Sequence, residues 1–491
     1  MIRLSLIFKA APVLAFYFFI QHYAVYASGQ ADTLSNNNLQ SNSRVQSNSD
    51  VQSKLLDNLE QDYRLAIVKF LQVNKDLVLG EITPGRLSSP ADDDSYFNTL
   101  KELTAFEDFK AAAYIYKYID EFTRLAYHTE IPFVFRVLLK NNDLITANKL
   151  KKIVTNVGDD YLNAIVEIEF AEYYFTRNEW EQLLNTLNID YLMLSQKLVD
   201  RSNLLKGIAL QKLKRHRDSI RYYDLIESSS PFFKLAQINK AVGYLRQGWW
   251  TDGHAIIKKI IMDKPVEEQD EFTNRLYLVL GHSLLRNEYY RESRKAFRNI
   301  TLDSQYLTKA LMGISLVAIK QEDYKAALNA LSLIKNKPNK TLEVMESYLL
   351  LPVIFQNLGQ KLTANSAYET ALTYFNEQLE NVKKQLSKNA LDSSSFFLDP
   401  VTLETRVDSL QVNLSTEVPQ HLLSDYIRLQ QMLSQNKSHT LKALLAKSKQ
   451  KYEKVIASGI LSSLEHKKAI IESYLSQTRF GLARLYDSKG E

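Results

Sequence analysis

Eight histidines, 56 carboxylates and no cysteine are the groups in this 491-residue sequence that can hold a metal or move a proton. No two histidines stand at a His-x-x-x-His or His-Glu-x-x-His spacing, which would put both rings on one helix face. His254, close to Trp250 and Asp252, is the least isolated of them, yet one ring beside one acid is no ligand set, and no metal is expected. The lack of cysteine removes disulfides, thiolate metal sites and a lipid-modified cysteine. Neither a Gly-x-x-x-x-Gly-Lys-Ser/Thr nor a Gly-x-Gly-x-x-Gly run is present to cradle a phosphate. A Gly-x-Ser-x-Gly elbow is absent too, so no cofactor and no serine-ester chemistry are expected. Two Glu-Ser pairs, Glu346-Ser347 and Glu472-Ser473, hold an acid that could protonate a leaving group if a cleft raised its pKa.

The elements that must position these residues are helices. Fourteen glycines and ten prolines are few for this length, and 45% apolar with 24% charged residues describes a folded chain. Residues 1–27 read as a secretory signal: Arg3 and Lys9 at the start, apolar residues from Ala10 to Ile20, and Val25-Tyr26-Ala27 as a cleavage site. Cleavage near Ala27 lowers the formal charge of +5 by two, too mild a surplus to imply nucleic acid. An exported chain without cysteine fits a bacterial periplasm, and membrane contact is expected only if the signal stays uncleaved. Residues 28–53, rich in Ser, Asn and Gln, predict a disordered tether. Residues 54–94 predict an N-terminal helix and loop, 381–420 an irregular linker, and 421–491 three helices from Leu422, Leu441 and Ile460 onwards.

Between residues 95 and 380 the sequence repeats about eight times. A small or compact residue recurs at Ala112, Ala147, Leu183, Ser219, Gly253, Ser293, Ala327 and Ala364. Three places earlier stand Phe109, Leu144, Trp180, His216, Trp250, Tyr290, Tyr324 and Lys361, and an apolar residue commonly follows four places later. Two helices approach closely only where a small side chain sits at their crossing, so each period predicts a helix pair. Segments 207–231, 240–265 and 281–300, with Gly207, Ala241 and Gly281 in the first helix and Pro231 or Pro265 closing a unit, resemble tetratricopeptide repeats. That resemblance implies an all-α class, an α-solenoid forming a right-handed superhelix, and a binding role without catalysis.

In this register the inward positions of the first helices include Arg201, Lys212, Arg246, Arg275, Arg286, Lys309 and Lys320, with His282, Gln211, Gln356 and Phe175 nearby. They predict a basic partner-binding groove for an acidic protein or peptide, or an acidic polysaccharide. Four of these cations end their helices, where the helix dipole favours them in any case. The Glu-Ser pairs also occur in lytic transglycosylases, but no glycine-rich stretch follows either pair here. The reading is a periplasmic scaffold for envelope assembly, secretion or polysaccharide export; a glycan-binding or divergent transglycosylase-like cell-wall protein is the alternative.

Overall fold

A computed structural model of the chain describes residues 39–80, 92–106, 108–189, 191–262, 270–337, 341–387 and 420–487. The expected signal 1–27 and the first part of the tether lie outside these residues, as do Pro265 and most of the linker. Every regular element among the described residues is an α-helix. The helices run α1 (Leu39–Gly80), α2 (Asp93–Phe106), α3 (Asp108–Lys117), α4 (Ile119–Arg124), α5 (Ile131–Lys140), α6 (Leu144–Val157) and α7 (Asp160–Thr176). There follow α8 (Trp180–Thr186), α9 (Gln196–Lys212), α10 (His216–Asp224), α11 (Phe233–Arg246), α12 (Trp250–Met262), α13 (Glu271–Arg286) and α14 (Tyr290–Arg298). The remainder are α15 (Leu307–Lys320), α16 (Tyr324–Lys335), α17 (Leu342–Asn357), α18 (Lys361–Ser387), α19 (Gln420–Gln435) and α20 (His439–Asp487).

Eight helix pairs, from α2–α3 through α5–α6 and α7–α8 to α17–α18, carry the periodicity of the sequence. Seven of the large residues three places before the crossing, Leu144 to Lys361, are the first residues of their second helices. All eight crossing residues are buried, and Tyr116, Leu187, Tyr223, Ile257, Phe297, Leu331 and Tyr368, four places later, are buried with them. The turn inside each pair also recurs from one pair to the next. Asn142, Asn178, Lys214, Gly248, Glu288, Glu322 and Gly359 have positive φ, each five residues before its crossing residue. The next N–H in every case donates to the carbonyl five residues back, from Asp143→Leu138 to Gln360→Phe355, at 2.8–2.9 Å. These are the capping bonds of a Schellman turn, which reverses the chain within three residues.

The chain divides into two compact units, Met1–Glu169 and Phe170–Glu491. In the first, α1 packs on α3 and α6 through a stripe that includes Leu59, Tyr63, Ile67, Phe70 and Leu71. Its helix starts at Leu39, so residues 39–53, expected as tether, are helical; no Gly or Pro between Leu39 and Leu79 stops the helix. In the second unit each helix packs on its sequence neighbour from α8 to α18, and consecutive first helices also touch: α9 with α11, α13 with α15, α15 with α17. The first-helix side of the stack is therefore the more closely packed one. The chain is an all-α solenoid of tetratricopeptide-like helix pairs.

The C-terminal segment differs from the expected three helices. Residues 439–487 form the single helix α20, because its buried stripe runs through Gly459 without a change of phase: Leu441, Leu445, Tyr452, Ile456, Ile460, Leu464, Ile471, Leu475 and Leu485. Its second half lies antiparallel on α18, Tyr474 against Phe375 with ring centroids 5.7 Å apart, and touches α17 as a further first helix would. A methyl group on Gly481 would come within 2.7 Å of Tyr368. Its first half pairs with α19. From that hairpin Asp425 receives a hydrogen bond from Arg177, at the end of α7, at 3.0 Å; the two residues are 6% and 8% exposed. Among the described residues no helix is long and apolar enough to cross a membrane.

This packing can be probed at two points. A methyl group on Gly281 would overlap the Phe297 ring, so Gly281→Val should cost about 1–3 kcal/mol, read as a lower denaturation midpoint with unchanged helicity. Asp425→Ala leaves the Arg177 guanidinium buried without its carboxylate and should cost about 3 kcal/mol or more. Native-state trypsin digestion of this variant should cut α19 first; a digestion pattern equal to wild type would show that the ion pair does not hold the hairpin.

Candidate partner-binding groove

Measured from the crossing residue, the expected groove cations fall in two columns. Lys212, Arg246, Arg286 and Lys320 stand seven residues before Ser219, Gly253, Ser293 and Ala327, each the last residue of its first helix. Arg201, Arg275 and Lys309 stand eighteen residues before Ser219, Ser293 and Ala327, one helix length away. In the first column the repeat therefore brings equivalent cations of successive units side by side, about 8–10 Å apart for packed helices; in the second, Leu235 stands at the equivalent place in the unit of Gly253.

The first column forms a true cluster at its start. Lys212 is half-buried and Arg246 keeps an exposed edge; burial holds the Lys212 ammonium below the usual lysine value, and the Arg246 guanidinium lowers it further. Arg246 also lowers His216, whose own burial is the larger cause, while burial lowers Arg246 itself against the opposing Tyr223. The Lys212 ammonium lies 5.8 Å from the centre of the Trp180 ring. Arg286 and Lys320 are exposed.

The second column is partly neutralised. Arg201 is paired in two hydrogen bonds with Glu172 of α7, one of 2.7 Å, and lies 5.4 Å from the Phe232 ring. Arg275 is held low by burial, with Tyr306 opposing. His282 is not a cation at neutral pH, because burial, helped by Lys309, pushes its pKa down to about 4. Its ring meets Phe297 edge-on at 4.9 Å. Gln211 and Gln356 do not serve the groove: each accepts a hydrogen bond from the tyrosine of its own second helix, Tyr223 at 3.1 Å and Tyr368 at 3.2 Å. Phe175 packs on Trp180 and the core around Leu204. The sequence places these residues on the first helix but cannot tell which flank of it meets the second.

At the last unit the second column ends in an acid. Glu346 stands eighteen residues before Ala364 and accepts a 3.4 Å hydrogen bond from the Tyr474 hydroxyl of α20. Burial pushes Glu346 up to about 7, the Glu343 carboxylate adds to this, and the Tyr474 bond works against it. Tyr474 is itself raised, first by burial and then by Glu346. Glu346 thus has the pKa of a general acid, but α20 covers it. Glu472, the other acid of a Glu-Ser pair, is exposed on α20. Among the described residues no group of histidines and carboxylates is arranged to hold a metal ion.

An acid such as Glu346, raised from 4.5 to about 7 by folding, contributes no penalty below about pH 4.5 and its full penalty above about pH 7. A tenfold weakening of an acid corresponds to about 1.4 kcal/mol. Glu346→Gln should therefore stabilise the protein increasingly between about pH 5 and 8, by up to about 3 kcal/mol, and leave it unchanged near pH 4. Urea midpoints across that range test this; equal gains at the acid and alkaline ends would refute it.

No protein family matches the sequence, and no curated protein matches it. Among solved structures, PilW, a type IV pilus biogenesis factor, is 12% identical, over 46% of this chain and 97% of that one, with a TM-score of 0.34. The Cut9–Hcn1 hetero-tetramer of the APC/C is 14% identical, over 73% and 64%, with a TM-score of 0.29. A circular tandem repeat protein with a novel repeat topology is 11% identical, over 87% and 97%, at 0.12.

Proposed function

We propose that this chain is an exported, non-catalytic scaffold that holds an acidic segment of a partner protein along the inner face of its helix pairs, in envelope assembly, secretion or polysaccharide export. The observation that carries this reading is the column Lys212, Arg246, Arg286, Lys320, one cation per unit in four successive units. An extended polypeptide advances about 3.3 Å per residue, so carboxylates three residues apart match the spacing of neighbouring first helices. The pair Lys212 and Arg246 adds affinity for an anion, because the Lys212 ammonium, depressed by burial and by the Arg246 guanidinium, gains a counter-charge from a carboxylate between them. Export rests on the signal-like composition of residues 1–27, and the periplasm on the lack of cysteine.

The regular column also favours a second reading, an acidic polysaccharide, whose carboxylates recur at a fixed interval. A peptide and a polymer separate in one competition. A fluorescent peptide with glutamate at every third position should bind with steep salt dependence. It should bind the Arg246→Glu, Arg286→Glu, Lys320→Glu variant at least about tenfold more weakly, while circular dichroism shows the variant folded. Displacement by polyuronate but not by unlabelled peptide would favour the polysaccharide. Equal binding to wild type and variant would leave the column as helix-end electrostatics.

A further inference from the structure

The second unit has a cleft on a different face of α9 from the basic columns. Second helix α8 ends at Thr186 after seven residues, the shortest second helix among those described. Beyond it Leu187 and Leu194 are buried, and the Tyr191 hydroxyl donates to the Leu187 carbonyl at 2.9 Å. Where a further turn of α8 would lie, a cleft of about 770 Å³ opens between α8, α9 and α10. A volume of this size takes a few residues of peptide. Leu184, Leu210 and Leu225 give it apolar walls, and Lys206, Arg215 and Arg221 bring three cations against the single carboxylate of Asp218.

These charges are unequally matched. Asp218 pairs with Arg215 at 3.0 Å and lies 3.9 Å from Arg221. Lys206 has no carboxylate partner among the described residues. Its ammonium is wedged between two aromatic rings, 4.8 Å from the centre of Tyr191 and 5.3 Å from that of Tyr222, and burial holds it below the usual lysine value. A half-buried cation that lacks a counter-charge and lines an open cleft gains from a single incoming carboxylate. Beside Tyr191, Leu192 and Met193 are 88% and 73% exposed, so the neighbourhood offers apolar contact beside the half-buried Lys206.

We propose that this cleft is a second docking site, independent of the basic groove, which takes the C-terminal carboxylate of an apolar peptide end, with Lys206 meeting the carboxylate and Leu184, Leu210 and Leu225 meeting the terminal side chains. A chain end joins one negative charge directly to apolar side chains, the combination the cleft presents in complement.

The test uses the full-length chain and three fluorescein-labelled apolar hexapeptides: one with a free carboxyl end, its amide, and an amidated form with one internal glutamate. Fluorescence anisotropy should show the free acid binding at least about tenfold more tightly than either amide. Lys206→Met, which keeps an apolar stem between the two rings, should remove that preference, and Leu225→Ser, at a 59% exposed position, should weaken binding without risk to the fold. The Arg246→Glu, Arg286→Glu, Lys320→Glu variant should bind the free acid as wild type does, which separates this site from the groove. Equal binding of acid and amide, no binding of the acid up to about 1 mM, or an unchanged preference in a folded Lys206→Met variant would overturn the proposal. Binding of the internal-glutamate peptide as tight as the free acid would overturn the chain end as its occupant.

Discussion

The solenoid depends on the close crossing inside each helix pair, which one small buried residue permits and one tight turn enforces. The turn costs strain: Asn142, Asn178, Lys214, Glu288 and Glu322 hold a backbone conformation that L-residues avoid by about 1–2 kcal/mol. The strain is tolerated because the following N–H closes back on the first helix and the crossing residue, five places on, is buried against it. Once that unit is fixed, the inner face, its columns of equivalent cations and the reach of each second helix follow by repetition. A change at one crossing is felt mainly by its neighbours, since each pair touches little else.

The array is closed at its C-terminal end by the chain itself. An unpaired last unit would leave the apolar face of α18 in water, and the second half of α20 covers it with Tyr474, Leu475 and Ile471 against Phe375, Ala371 and Val382. The first half of α20 continues well beyond that duty and returns with α19 to the end of α7, where Arg177 and Asp425 meet with almost no solvent. A buried ion pair adds little net stability compared with an apolar contact, but it penalises every alternative placement of the hairpin. Its contribution is therefore one of position.

The register of the solenoid was legible because it rests on residue volume at fixed intervals, which a sequence displays directly. Seven of the eight large residues mark the starts of second helices. The electrostatics of the groove were only partly legible. Arg201 reads as a free inner cation until its partner Glu172, 29 residues earlier on another first helix, is brought beside it. His282 reads as basic until burial makes it neutral. Gln211 and Gln356 read as groove-lining until the flank of the helix that meets the second helix is known. The Lys206 cleft has no sequence signal beyond a second helix that ends early. Its meaning lies in the two rings and the missing carboxylate, none of which periodicity reports.

The change of sign along the inner column links these observations. Arg201, Arg275 and Lys309 give way to Glu346 at the last unit, the one whose neighbouring first helix is supplied by α20. An arginine at that place would lose solvation to α20 and could not shed its charge. A carboxylate there can take up a proton and stay buried at modest cost, which is how Glu346 comes to titrate near 7. The unit that carries the acid is the one the chain covers with its own helix.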